Sequence, residues 1–333
     1  MKKFLLPEEG QFYKANLHCH STVSDGDYTP EELKRDYMAQ GYSIIAFTDH
    51  DLMVPHPELA DENFLPLNGY ELEINDPPPG GSRWQKSTHI CMVALEPDNR
   101  LQVCWHRSKY LLGNAPQYAH LAQFDENEPD FEREYTPECI SEMIRRGREN
   151  GFFVTYNHPG WSLDEYEHYI GLNGMNAMEI MNFACYVDGH NDYNPRVYDD
   201  MLKAGKRIYC IAADDTHRPH HRFGGFTMIK APKLEYRAVT KALENGHFYA
   251  SQGPEIHALW LEDDELHITC SPAARITLNS ACRHASARYP KEGELLTETV
   301  FPVSKDHGYF RVTVTDATGK HANTSAYFAD EWL

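Results

Sequence analysis

Over about its first 250 residues the chain alternates short apolar runs with helical patterns, and ligand-type side chains recur at the ends of those runs. Ser43-Ile44-Ile45-Ala46-Phe47-Thr48 is a continuous apolar run of the kind a strand buried on both faces requires. Strand–helix alternation implies a parallel sheet, open or closed into a barrel. In either form ligands bind at the carboxyl ends of the strands. What stands at those ends therefore bears directly on function.

The first strand is expected from Phe12 to His20, the third over Leu65 to Ile74, and the fourth over His89 to Leu95. Further strands are expected at Phe152 to Tyr156, Ala177 to Phe183, Arg207 to Ala213 and Phe226 to Ile229. Thr29-Pro30-Glu31-Glu32 and Thr136-Pro137-Glu138 read as helix starts, with a threonine cap, proline at the first position and glutamate in the first turn. These helices should run to about Gln40 and Asn150. Asn194-Pro195 opens a helix ending near Gly205, and Leu234 to Glu244 is helical. Asp76 to Ser82 is a proline- and glycine-rich loop. Residues from about 96 to 135 lack periodicity and read as an insertion or lid. From Pro254 on, short alternating segments such as Leu266-His267-Ile268-Thr269-Cys270 replace the helical pattern, which predicts a small β-sandwich.

The polar residues form an ordered series. His18, His20 and Asp25 follow the first strand, and Thr48-Asp49-His50 closes the second. Glu71 lies in the third, Asn157-His158-Pro159 follows the fifth, and Asp214-Asp215-Thr216-His217 follows Ala213. His18 and His20, two apart on extended backbone, share a face, while Cys19 turns away. Imidazoles with carboxylates nearby suit a divalent metal. His89, at the start of its strand, is expected at the opposite end from the others unless that strand begins earlier or enters from a loop.

The formal charge is −19 at pH 7. Such a surface repels nucleic-acid backbones and anionic membranes, so the expected partner is a small anionic substrate rather than a nucleic-acid polymer or a bilayer. The eight cysteines show no paired spacing and read as buried thiols in a reducing cytoplasm. No run is long enough for a signal peptide or a membrane span.

The ordered set His18-x-His20, Asp25, Thr48-Asp49-His50, Glu71, His89, Asn157-His158-Pro159 and Asp215-x-His217 resembles the polymerase-and-histidinol-phosphatase (PHP) superfamily of metal-dependent phosphoesterases, over about residues 10 to 250. The stretches from Phe248 to Ile256 and from Val312 to Phe328 resemble its branch with a C-terminal β-sandwich, which includes hydrolases of small esters or carbamates. The resemblance implies an α/β fold: a distorted seven-stranded TIM-like barrel at 1–253, then the sandwich at 254–333. It implies two or three divalent ions, Zn, Mn or Fe. One would be held by His18, His20, Glu71 and Asp215. Glu71 would bridge to a second held by His89 and His158, and a third would be held by Asp25, His50 and His217. Asp214 competes with Asp215, and the family's Asp-x-His pattern favours Asp215.

The implied activity is hydrolysis of a small phosphorylated metabolite by a metal-bound hydroxide, with Asp25, His50, Glu71 and His217 as catalytic residues. The ions would outweigh the carboxylates and make the pocket positive inside an acidic protein, which favours an anionic substrate. Arg218, His220, His221 and Arg222 follow the last ligand and could grip phosphate or protonate a leaving group. Arg218, Arg222 and His220 are the expected substrate contacts. Lys86 and Arg83 read as loop cations. Two alternatives remain: a hydrolase of a non-phosphate ester or carbamate on the same metals, and a non-catalytic metal-bound binding module.

Overall fold

The computed structural model describes residues 2–76 and 86–333. Arg83 and all but the first residue of the loop expected at 76–82 lie outside the described residues. The strands that build the site are β1 (Gln11–Asn16), β2 (Tyr42–Phe47), β3 (Leu65–Asn75), β4 (Ser87–Ala94), β5 (Phe152–Tyr156), β6 (Ala177–Asn182), β7 (Tyr209–Ala213), β8 (Phe226–Ala231) and β9 (Phe248–Ser251). They lie side by side in the order β7-β6-β5-β4-β3-β2-β1-β8-β9. β1, β2 and β3 are mutually parallel, as are β5, β6 and β7. β4 runs antiparallel to both neighbours, and β8 antiparallel to β1.

The sheet curls on itself. Ala15, Ile44, Leu67, Val93, Phe153, Ala177, Ile211 and Ile229, one from each of β1 to β8, meet in a single buried cluster. No continuous ladder joins β7 to β1. The two are linked past their ends by an isolated parallel bridge between Cys19 and Thr216. There the His20 N–H donates to Thr216 O (3.1 Å) and the Asp215 N–H to His18 O (3.0 Å).

Helices cover the outside where their sequences dictate. Helix α1 (Pro30–Met38) starts with the expected capping box: Thr29 Oγ1 accepts from the Glu32 N–H, and Glu32 returns the favour at the Thr29 N–H. It stops before Gly41, whose φ of +77° suits glycine. Helix α2 (Pro137–Glu149) buries Ile140, Met143, Ile144 and Gly147, a stripe of i, i+3, i+4, i+7 spacing. Burying each of its larger apolar side chains contributes roughly 1.5–3 kcal/mol. Helix α3 (Pro195–Lys203) and helix α4 (Tyr236–Glu244) complete the outer layer.

The region after Pro254 is β-rich. Ile256–Glu262, Glu265–Ala273 and Leu296–Pro302 form a sheet with Lys3–Phe4 from the chain's beginning. Arg275–Ser280, Tyr309–Thr315 and His321–Thr324 instead extend the large sheet beyond β9. Leu259, Leu266, Ile276, Phe301, Phe310 and Val312 from both sheets share one core with Leu5 and Leu6. The buried Arg311 reaches α3, where Nη2 lies 2.8 Å from Asp199 Oδ2.

Several expectations need correcting. The first strand ends at Asn16, because Cys19 N–H turns to Thr48 Oγ1 (2.9 Å) and the backbone beyond Leu17 pairs with the segment after β7. His89 sits at the same end as the other ligand-type residues. β4 begins at Ser87 and runs backwards, so its start lies beside the far end of β3, with His89 opposite Glu73. All eight cysteines are free, but Cys139 is half-buried and Cys282 exposed. Among the described residues no helix is long and apolar enough to cross a membrane.

Candidate metal centre

Nine imidazole and carboxylate side chains converge where β1, β2, β5 and β7 end, β3 passes and β4 begins. His18, His20, Glu71 and Asp215 form one group whose ligand atoms lie within 4.8 Å of one another. His20, Asp25, His50 and His217 form a second on the same terms, and His50, Glu71 and His89 a third. Glu71 is the hub: its carboxylate is 3.1 Å from His18 Nε2, 3.3 Å from His20 Nε2, 3.2 Å from His89 Nδ1 and 3.3 Å from His158 Nε2. His217 Nε2 lies 3.4 Å from Asp25 Oδ1. All except Asp25 and His217 are buried.

Local backbone aims these groups. Asp51, His158 and Asp215 have φ of 58°, 26° and 53°, a left-handed conformation uncommon outside glycine and concentrated here at three strand ends. Asp49 holds the loop that carries Asp25. Its carboxylate accepts from the Ser21 N–H (2.8 Å), the Ser24 N–H (3.1 Å) and both serine hydroxyls. Gly26 closes that loop: a Cβ there would stand 2.4 Å from the His20 carbonyl oxygen. Gly26→Ala should therefore cost about 1–3 kcal/mol in a denaturant melt and loosen metal binding through Asp25.

Asp215, not Asp214, faces the cluster. Asp214 Oδ1 accepts from the Gly224 and Gly225 N–H groups, and Oδ2 from the Phe223 N–H and the Tyr37 hydroxyl. It thus pins the turn that leads into β8. Burial pushes its carboxyl up to about 6 despite those four donors. Burial alone would also raise Asp215, but His18, His217 and His20 around it hold it well below the usual carboxylate range. Glu71 is held down in the same way by His18, His89 and His158. Burial, with the His20 ring beside it, keeps His50 well below the usual histidine range, so it offers a neutral lone pair.

The donor set fits divalent ions. Among the described residues, His20 Nδ1, His50 Nδ1, Glu71 Oε2, both His89 ring nitrogens and Asp215 Oδ1 are buried and make no well-aligned hydrogen bond, although some lie within 3.2–3.4 Å of a neighbouring cluster atom. Convergent nitrogen and oxygen atoms of this kind suit a divalent metal.

Sequence reasoning missed Glu179. It is fully buried; Oε1 lies 2.7 Å from His18 Nδ1, and Oε2 accepts from the His158 N–H (2.9 Å) and Asn182 Nδ2 (2.8 Å). It fixes the tautomer of His18 and leaves Nε2 for the cluster. The only signal was a glutamate inside the otherwise apolar run Ala177 to Met181. Glu179→Gln should weaken metal binding or turnover by about 10–100-fold without unfolding the chain, as read by competition with a chromogenic chelator. Asn157 was quoted only as part of a motif; its Nδ2 donates to Glu71 Oε1 at 2.7 Å.

The centre opens into a cavity of about 610 Å³, lined among others by Glu73, Trp161, Arg218, His220 and His221. Arg218 also ties down the Asp25 loop, donating to Asp27 Oδ1 (2.8 Å) and the Asp25 carbonyl (3.1 Å). Arg222 is not among the lining residues. Its guanidinium pairs with Asp36 (2.7 Å) and lies over the Tyr28 ring, so its charge is already matched. His220 meets Asp188 at 3.0 Å. Lys86 pairs with Glu165 (2.9 Å) and does not line the cavity.

The chain is similar to several known proteins. A curated relative, a 5'-3' exoribonuclease of Haemophilus influenzae, is 53% identical over 66 residues, 19% of this chain and 24% of that protein. The chain thus matches about a quarter of that relative's length. Among solved structures, a two-domain protein from Bacteroides vulgatus containing a predicted PHP-like metal-dependent phosphoesterase is 16% identical with a TM-score of 0.47, covering 97% of each chain. A lesion-specific endonuclease from Pyrococcus furiosus is 14% identical with a TM-score of 0.41, covering 70% of this chain and 56% of that one. The PHP domain model matches residues 16–253, the stretch that carries every residue of the cluster. With well over half of its length so matched, the chain belongs to the PHP domain family.

Proposed function

We infer that the protein is a metal-dependent phosphoesterase that hydrolyses a small phosphorylated compound in the cavity above the cluster. The observation that carries this reading is the convergence of nine ligand-type side chains, with several buried atoms that make no well-aligned hydrogen bond, at the floor of a cavity large enough for a small substrate. His18, His20, Glu71 and Asp215 would hold one ion. His89 and His158, with Glu71, would hold a second, and Asp25, His50 and His217 a third. Such ions supply Lewis acidity, acidify water and neutralise charge on phosphoryl oxygens. Within this reading Glu179, Asp49 and Asn157 orient the ligands. Arg218 and His220 stand on the substrate side of the cavity, and Arg222 is reassigned to bracing the Asp36 helix. We read the curled sheet as a distorted barrel domain through residue 253 and the β-rich region from 254 as a sandwich. Eight free cysteines favour a reducing compartment such as the cytoplasm.

A second reading is hydrolysis at the end of a short oligonucleotide, favoured by the local identity to an exoribonuclease. The test is a panel: p-nitrophenyl phosphate, phosphorylated metabolites, short 5'-phosphorylated oligoribonucleotides and p-nitrophenyl acetate, each with Mn, Fe or Zn. Phosphate release from the small esters supports the first reading. Nucleotide release from the oligomers alone supports the second. Turnover of the acetate alone contradicts both.

A further inference from the structure

Resting on the phosphoesterase reading, we propose that His220 donates the proton that the leaving alcohol needs, with Asp188 as its positioning residue. Asp188 follows the short helix Phe183–Val187, and its Oδ1 lies 3.0 Å from His220 Nε2 and 3.2 Å from His221 Nε2. All three residues line the same cavity as Glu71 and His217. None belongs to the ligand set described above.

The two histidines are not equivalent. His221 is buried, and its Nδ1 accepts from the Arg218 N–H at 3.3 Å. Its proton is therefore on Nε2, facing Asp188, and both ring nitrogens are engaged. His220 uses only Nε2. Its Nδ1 makes no hydrogen bond to the protein among the described residues, and its side chain is 60% exposed. The same tautomer argument weighs against a cation at this cluster, because the His221 lone pair that a cation would take carries a proton. Burial alone would raise the Asp188 carboxyl, but His220 and His221 hold it below its ordinary value, so it stays anionic opposite the imidazoles.

In the step, the oxygen of a water bonds to phosphorus, keeping one proton on the phosphate formed and releasing the other to solvent, as the bond from phosphorus to the ester oxygen breaks. The Nδ1 proton of the doubly protonated His220 passes to that ester oxygen, and the alcohol departs neutral. His220, open to solvent, recovers its proton from bulk water. Asp188 keeps Nε2–H engaged and leaves Nδ1 as the ring nitrogen that can serve the ester oxygen.

The test compares p-nitrophenyl, phenyl and alkyl phosphates on metal-loaded wild type, His220→Gln and Asp188→Asn. A general acid matters most for the poorest leaving group. His220→Gln should lower kcat/KM on the alkyl ester by about 10²–10⁴-fold and on the p-nitrophenyl ester far less. Asp188→Asn should tilt the same way by a smaller factor, in kcat rather than KM. Equal losses on all three esters would make His220 a phosphate contact and overturn the proposal. So would unchanged rates, or loss of bound metal in either variant. Wild type that cleaves no phosphoester refutes the phosphoesterase reading itself, a result distinct from a flat leaving-group dependence.

Discussion

Replacing His18 and His20 together by alanine should strip the bound metal and lower phosphoester hydrolysis by about a thousandfold or more. The two Nε2 atoms lie 3.0 Å apart, and both approach Glu71 and Asp215 within 3.3 Å. His20 also belongs to the group with Asp25, His50 and His217, so the double change damages two groups at once. Several kcal/mol of transition-state stabilisation from a metal corresponds to a loss of this size. Elemental analysis and phosphate release measure the two effects, and circular dichroism shows whether the fold persists. Wild-type metal content in the double variant would contradict the assignment.

Arg133→Ala should cost about 3–5 kcal/mol of stability, since it strands a buried carboxylate. Arg133 comes from the aperiodic 96–135 region, and its guanidinium lies 2.6 Å from Asp51, with both side chains at most 5% exposed. It also donates to the Glu73 carbonyl (2.8 Å) and lies over the Tyr110 ring. Burial pushes the Asp51 carboxyl up to about 6, with Arg133 opposing that rise. Native stability totals only about 5–15 kcal/mol, so the loss is a large fraction of it. Asp51 adjoins His50, so the variant should lose metal affinity too. Converting both partners, Asp51→Asn with Arg133→Met, should recover much of the stability, because no lone charge remains buried. Urea melts of wild type and these two variants give the comparison. A single variant as stable as wild type would mean that the pair does not anchor this region.

The sequence made the cluster legible because most of its histidines and carboxylates sit at or near strand ends, where apolar periodicity stops and a polar side chain stands out. Helix starts were legible for a local reason as well: Thr29 and Thr136 cap through their own side chains. What could not be read depended on long-range pairing. The reversed direction of β4, which returns His89 to its fellows, is set by register against β3 and β5. Lys3–Phe4 joins a sheet some 250 residues away because Leu5 and Leu6 complete its core. Glu179 has its meaning only through His18, and Arg133 only through Asp51. Neither contact leaves a spacing pattern. Arg222 was read as a substrate contact from its closeness in sequence to His217, but the turn at Pro219–His221 carries it toward Asp36.

The most direct test is metal-dependent phosphate release by the wild-type protein. Purified protein is stripped with a chelator, assayed on p-nitrophenyl phosphate and phosphorylated metabolites, then reloaded with Mn, Fe or Zn while bound metal is counted. The account predicts that stripping abolishes hydrolysis and that two or three equivalents of metal restore it. Protein that is metal-free by elemental analysis yet hydrolyses the same esters at the untreated rate would contradict it.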